Sequence, residues 1–271
     1  MRRACILYTR DDAAKNRVLI GKYFAAFARL GFRAGLVITD GLSNEDVLNA
    51  VLGCGAVINR TRDAELAFFL EANGVFVSNP AIVNETANDK FLTYERLSET
   101  VPMLETRLIE GGGPPLPFPF VAKPAAGHGG AGVTLVRNGV EFAEYVSAHP
   151  ERSVAQPFAK GKGSDLRIYV IGGRPAAAML RESATDFRSN FSLGGSASFI
   201  PLNELEPDEL RIAEAVCAAL PLHYAGVDVM RDNCRAVLNE IEDPVGARML
   251  YINTDIDPAE LHARYAAGIT E

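Results

Sequence analysis

Several devices that would announce a function are missing from this chain. Its four cysteines (Cys5, Cys54, Cys217, Cys234) form no CxxC pair, so neither a metal site nor a disulfide framework is expected of them. They read as reduced, mostly buried thiols in a cytoplasmic protein. No apolar run approaches the roughly 20 residues needed to span a bilayer. The opening "MRRACILYT" is basic, but its apolar part is too short for a secretory signal and reads as a first strand. Positive charge is in short supply: 27 Lys+Arg against 34 Asp+Glu give a formal net charge of −7, which argues against a nucleic-acid or anionic-membrane surface. There is no GxGxxG after the first strand, no Gly-Lys-Ser/Thr ahead of a helix, no internal repeat and no low-complexity tract. Nor does the chain offer a nucleophilic triad.

What remains is an ordinary globular composition, 48% hydrophobic and 23% charged over 271 residues, enough for one large domain or two to three small ones. The first 80 residues alternate strand and helix. "ACILYT", "RAGLVIT", "GAVIN" and "VFVSN" read as strands, and "RVLIGKYFAAFARLG", "NEDVLNAVLG" (capped by Asn44) and "DAELAFFLEANG" as helices. That order predicts a small parallel sheet covered by helices.

Beyond residue 80 the texture changes. "NETANDKFLTYERLSETV" reads as one helix, "MLETRL" as a short strand and "EGGGPPLPFP" as a boundary loop. The strands "FVAKP" and "GVTLVR" flank the glycine-rich turn "AAGHGGAG", and a helix ("GVEFAEYVSAH") and a strand ("SVAQPFA") follow. "DLRIYVIGGRPAAAMLRES" reads as a hairpin turning at Gly172–Gly173, "DELRIAEAVCAALP" as a helix, and "YAGVDVMRDNCRAVLNEIEDPVG" as a hairpin turning near Asp232–Asn233.

Three groups of residues carry chemistry. Lys123 ends a strand that runs into the glycines of residues 127–132, Gly129 and Gly130 among them. Exposed backbone N–H groups and an ammonium can together hold polyphosphate, although a glycine-rich hairpin turn alone is common. His128 inside the loop reads as incidental. Glu240 and Glu242, two apart on a strand, point to one face, and Asp228 opposite them would bring three carboxylates together. Such a group is stable ionised only beside a cation, and its hard oxygens suit Mg²⁺ or Mn²⁺ shared with phosphate; an acidic hairpin edge is the plain alternative. Arg167 (on one strand face with Asp165), Arg181, Arg188 and Asn190 lie between, and arginine holds phosphate or carboxylate bidentately.

In order, "NDKFLTYERL", "FVAKPAAGHGGAGVTLV", "VAQPF", "GSDLRIYVIGGRPAAAMLR", "FRSNFSLGGSA" and "AGVDVMR…VLNEIEDPVG" resemble the ATP-grasp ligases, and most of all their RimK-like branch. The resemblance covers about residues 78–257. It implies an α/β (α+β) ATP-grasp fold: a small parallel pre-ATP-grasp domain over residues 1–80, then the grasp over 81–271, with a lid at about 116–158 and a mostly antiparallel part at about 159–271. It further implies that Lys90 and Lys123 contact the phosphates of ATP under the glycine lid. Gln156 and Phe158 would sit at the adenine and Asp165 at the ribose. Asp228, Glu240 and Glu242 would hold Mg²⁺ (or Mn²⁺). Arg167, Arg181, Arg188 and Asn190 would line the acceptor side.

The activity so implied joins a small-molecule carboxylate to an amine, with amino acids or a peptide tail as substrates, through an acylphosphate. The resemblance also allows a homo-oligomer. One departure stands out: the branch usually carries asparagine where this chain has Glu242. Two other readings share the same residues, an ATP-grasp kinase acting on a small molecule and a non-catalytic nucleotide-binding module. Intact lysines, arginines and carboxylates speak against the second.

Overall fold

A computed structural model describes residues 2–127, 129–159, 164–182 and 196–268. Three sheets organise it. The first is parallel, in the order β2-β1-β3-β4, from β1 (Arg2–Tyr8), β2 (Phe32–Ile38), β3 (Ala56–Asn59) and β4 (Val77–Ser78). Residues 4–8 of β1 and all of β3, at its centre, are buried on both sides because helices cover both faces. Cys5, Leu7 and Val57 pack on α3 (Asn44–Val51) and α4 (Ala64–Ala72), while Ile6 and Ile58 pack on α2 (Arg17–Arg29). The last helix, α10 (Pro258–Ala266), returns to join α2 on that same face through Ala259 and Ala263. A short α1 (Arg10–Lys15) follows β1, and α5 (Ala81–Ala87) follows β4.

The second sheet is antiparallel, β5-β8-β6-β7, from β5 (Arg107–Leu108), β6 (Phe120–Pro124), β7 (Thr134–Val136) and β8 (Ser153–Pro157), with α7 (Gly139–Ala148) packed on it. The third, β11-β10-β9-β12-β13, is also antiparallel. It comprises β9 (Ser164–Ile171), β10 (Arg174–Glu182), β11 (Ser196–Ile200), β12 (Tyr224–Asp232) and β13 (Arg235–Glu242). One face, with Leu166, Ile168, Val170, Ala225, Val227 and Val229, packs on Ile212, Ala213 and Val216 of α8 (Pro207–Ala219). Each of these larger side chains contributes about 1.5–3 kcal/mol by leaving water. The alternation of the strands sends Asp165, Arg167, Arg181 and Asp228 to the opposite face.

A β-bulge sets the phase of β13. Asp228 pairs with Glu240 and Val229 with Leu238, which leaves Asn239 as the extra residue. Ala236 and Leu238 therefore face the core before the bulge and Ile241 after it, while Glu240 and Glu242 turn to the charged face. Without the bulge, strict alternation would have placed Leu238 among the carboxylates.

The structure corrects several local expectations. Ser43, not Asn44, caps α3, in a capping box with Asp46. The helix expected across residues 84–101 is two helices, α5 and α6 (Lys90–Leu97), because Asp89 accepts from the Phe91 and Leu92 N–H groups and starts a new one. The last hairpin turns at Asn233–Cys234, both with positive φ (48° and 65°). Cys234 is accordingly exposed and Cys54 and Cys217 only half-buried, leaving Cys5 the one buried thiol of the four. β11, α9 (Arg248–Asn253) and α10 had no counterpart in the sequence reading. Among the described residues, no helix is long and apolar enough to cross a membrane.

Candidate nucleotide and metal site

A cleft opens between the second and third sheets. Its lining combines apolar side chains (Leu104, Val121, Val133, Phe158 and Met230) with polar and charged ones (Lys90, Lys123, Gln156, Ser164, Asp165, Asn239 and Glu240), and Gly127, Gly129, Gly130 and Ala131 line it from the loop. Apolar side chains and two lysines in one cleft suit a flat ring joined to an anionic chain.

The two lysines come from different elements. Lys90 is the first residue of α6, and its ammonium donates to the Gly127 carbonyl. Lys123 lies on β6 and is only 7% exposed. Burial pulls its pKa down to about 8, with Glu240 opposing and Lys90 reinforcing the drop. Burial also lowers Lys90, again against Glu240. Two poorly solvated ammonium groups near each other are a receptor for anionic charge. The loop between β6 and β7 comes close to the strand at Gly132: its φ is +69°, and a Cβ there would lie 2.8 Å from the Pro124 ring, so no other residue fits without displacement.

Gln156 sits on β8 with its amide committed to Thr106 Oγ1 at 2.8 Å. Phe158 is one of the apolar side chains that line the cleft. Arg188 and Asn190, like His128, lie outside the described residues.

From Asp165, which lines the cleft, a chain of alternating charges runs across the third sheet. Arg167 forks onto Asp228 with two bonds of 2.7 Å and also pairs with Glu242. Arg181 reaches Asp228 at 2.6 Å and forks onto Asp165. Asp165, Arg181, Asp228, Arg167 and Glu242 thus form one connected row, with Asp228 fully buried. Burial pushes the Asp228 pKa up, but the two guanidiniums outweigh it and hold the carboxyl below its ordinary range. At Glu242, burial wins: its pKa is raised despite Arg167, and Asp228 and Glu240 add to the rise. Arg167 and Arg181 are thus both paired with carboxylates, and Asp165, one of those partners, also lines the cleft.

Gly226 makes that pairing feasible. A Cβ at this position would stand 3.2 Å from Arg167 Cδ and 3.0 Å from Val245 Cγ2. The arginine therefore lies over this glycine of β12, between Asp228 on the same strand and Glu242, which pairs with Gly226 from β13. In the sequence Gly226 is signalled only as a lone glycine inside an apolar strand.

Asp228, Glu240 and Glu242 converge, each offering an oxygen within 4.8 Å of the others. Hard oxygen donors, only partly compensated by arginine, fit a divalent cation such as Mg²⁺. Residues 93–264 match the RimK-like ATP-grasp domain. The chain belongs to the RimK-like ATP-grasp family.

As a member of that family it is an ATP-grasp ligase of the carboxylate–amine type, forming carbon–nitrogen bonds. A relative named "Probable alpha-L-glutamate ligase", from Xanthomonas campestris pv. campestris (strain B100), is 32% identical over 208 residues, covering 71% of this chain and 69% of that protein. The ATP-bound D-alanine–D-alanine ligase of Bacillus anthracis shares the fold, with a TM-score of 0.77 at 15% identity over 98% of this chain and 97% of that one. So does a RimK domain ATP-grasp protein from Sphaerobacter thermophilus, with a TM-score of 0.73 at 21% identity over 97% and 99%. The RimK-like match begins at residue 93, three residues after Lys90.

Proposed function

We propose that this protein is an ATP- and Mg²⁺-dependent ligase that joins the carboxylate of an amino acid or small peptide to an amine, through an acylphosphate. The observation that carries the reading is that two desolvated lysines share one cleft with Glu240, which converges with Asp228 and Glu242. The name of the Xanthomonas relative supports amino-acid substrates.

A carboxylate resists attack by an amine because oxide is a poor leaving group. Passing the γ-phosphoryl group of ATP to the carboxylate oxygen makes phosphate the leaving group; the amine then forms the amide and releases phosphate. That transfer needs positioning and charge neutralisation rather than a protein nucleophile. Lys90 and Lys123 bind and orient the polyphosphate. Leu104, Val121, Phe158 and Met230 take the apolar ring. The glycine loop, as part of a lid formed by the second sheet, keeps water from the acylphosphate. Asp228, Glu240 and Glu242 would hold Mg²⁺, which supplies charge neutralisation at the phosphates. Arg167 and Arg181 keep Asp228 ionised and aligned. The N-terminal sheet serves as the pre-ATP-grasp domain.

The test is a screen of ADP release over pairs of amino acids, with mass spectrometry of the products. Amide formation coupled one to one with ADP is expected. A phosphorylated substrate with no amide would replace the ligase with a kinase, and no ADP release from any pair, despite ATP binding, would leave a binding module.

A further inference from the structure

The segment that follows the metal carboxylates is tied to a different sheet from the one that carries them. Asp243, directly after Glu242, is 3% exposed, and Arg60 and Arg62 act on it only at a distance, without a hydrogen bond to it among the described residues. Its Oδ1 accepts from Asn79 Nδ2 at 2.7 Å and its Oδ2 from Asn84 Nδ2 at 3.1 Å. Asn79 cannot turn, because its Oδ1 accepts from the His223 and Tyr224 N–H groups (2.7 and 2.8 Å) and its Nδ2 donates to the Tyr224 carbonyl (2.6 Å). Two residues beyond Asp243, the Val245 carbonyl accepts from Arg60 Nη2 at 2.6 Å. Arg60 is itself set by Tyr8, whose hydroxyl takes its Nε–H at 3.2 Å. Asn79 and Arg60 stand just beyond the carboxyl ends of β4 and β3, and Asn84 lies on α5.

Stability alone is a poor reason for this arrangement. A buried carboxylate held by two neutral amides costs more than an apolar residue of similar size in the same place. What the arrangement does is fix the backbone on the far side of Glu242, while β13 fixes the near side. We propose that Asp243 is a positioning residue for the metal site: clamped by Asn79 and Asn84, it sets the place of Glu242, so that the N-terminal sheet governs how the three carboxylates converge. The inference rests on the ligase reading above, and deepens it by assigning the N-terminal sheet a part in cation binding.

The experiment measures Mn²⁺ affinity by electron paramagnetic resonance with a non-hydrolysable ATP analogue, alongside thermal unfolding and the Mg²⁺ dependence of ADP release. Asp243→Ala removes the clamp and is expected to weaken Mn²⁺ about 10-fold or more, as loss of a group behind a metal ligand does. The Mg²⁺ needed for half-maximal turnover should rise in parallel, with KM for ATP at saturating Mg²⁺ unchanged. Asp243→Asn keeps the shorter half of the clamp, with its Oδ1 still accepting from Asn79, while Asn84 is held in place by its Nδ2 donating to the Thr61 carbonyl at 3.0 Å. That variant should hold Mn²⁺ more tightly than Asp243→Ala. Asn84→Ala, which removes the donor to Asp243 and to the Thr61 carbonyl, carries the test if Asp243→Ala does not fold, and should weaken Mn²⁺ likewise. Variants that unfold earlier yet bind Mn²⁺ like wild type overturn the inference. A wild type with no ATP-dependent Mn²⁺ binding overturns the ligase reading beneath it instead.

Discussion

Arg181→Leu removes the guanidinium at the centre of the charge row while keeping an apolar side chain of moderate volume. The substitution deletes the fork onto Asp165 and the 2.6 Å bond to Asp228. Asp228 keeps both of its Arg167 bonds, so the cost falls mainly on Asp165, which is 7% exposed. Breaking a buried pair by removing one partner costs about 3–5 kcal/mol. Because Asp165 borders the cleft, where water can approach it, the low end is expected, about 3 kcal/mol, in urea unfolding without nucleotide at pH 7. Pairing the change with Asp165→Asn should recover more than half of that loss. The pH dependence supplies the sign. In wild type the depressed Asp228 contributes stability that is present above the unfolded carboxylate value of about 3.9 and is lost as pH falls through its lower folded value, so this source leaves wild type level between pH 5 and 7. In the variant the Asp228 pKa, held down in part by Arg181, rises, so the folded state takes up a proton at higher pH than in wild type and the deficit shrinks as pH falls toward the carboxylate range. A loss below about 1 kcal/mol, or a deficit that stays constant down to the carboxylate range, refutes the view that this row holds the site together.

Glu240→Gln keeps shape but removes a charge from the carboxylate group; the fold should survive, with turnover reduced at least about 100-fold in ADP release titrated against Mg²⁺. The lowered Lys123 makes ATP affinity decline as pH rises through about 8, and phosphate should draw a proton back onto the amine. Calorimetry at pH 8.5 in buffers of different ionisation enthalpy should therefore record proton uptake on ATP binding, abolished by Lys123→Arg. Gly226→Ala drives a methyl against Arg167 and Val245, and should cost about 1–3 kcal/mol in urea unfolding while weakening Mn²⁺ binding; wild-type values for both would show that Arg167 does not need the glycine.

Much of this site was open to local reasoning. Strand alternation alone puts Asp165 beside Arg167 and Glu240 beside Glu242, because period two is a property of any extended chain. The glycine loop after Lys123 and the order of motifs led to the ATP-grasp resemblance, and the family match and the shared fold agree with it. Local pattern misled at Asn44, where Ser43 one residue earlier had the better geometry, and across residues 84–101, where an unbroken helical pattern hid the cap at Asp89.

Other features were decided only in three dimensions. The bulge at Asn239 aligns Glu240 with Asp228 and keeps Leu238 in the core, and nothing in "AVLNEIE" marks which residue is the extra one. The partners of Arg167 and Arg181 depend on strand register and on the space over Gly226. The clamp on Asp243 joins residues 164 and 159 positions apart, and Arg60 meets Val245 across 185. Composition and spacing determine which side chains share a face; which charges compensate one another depends on contacts between separate elements, because a buried ion's partner is selected by distance after folding rather than by place in the chain.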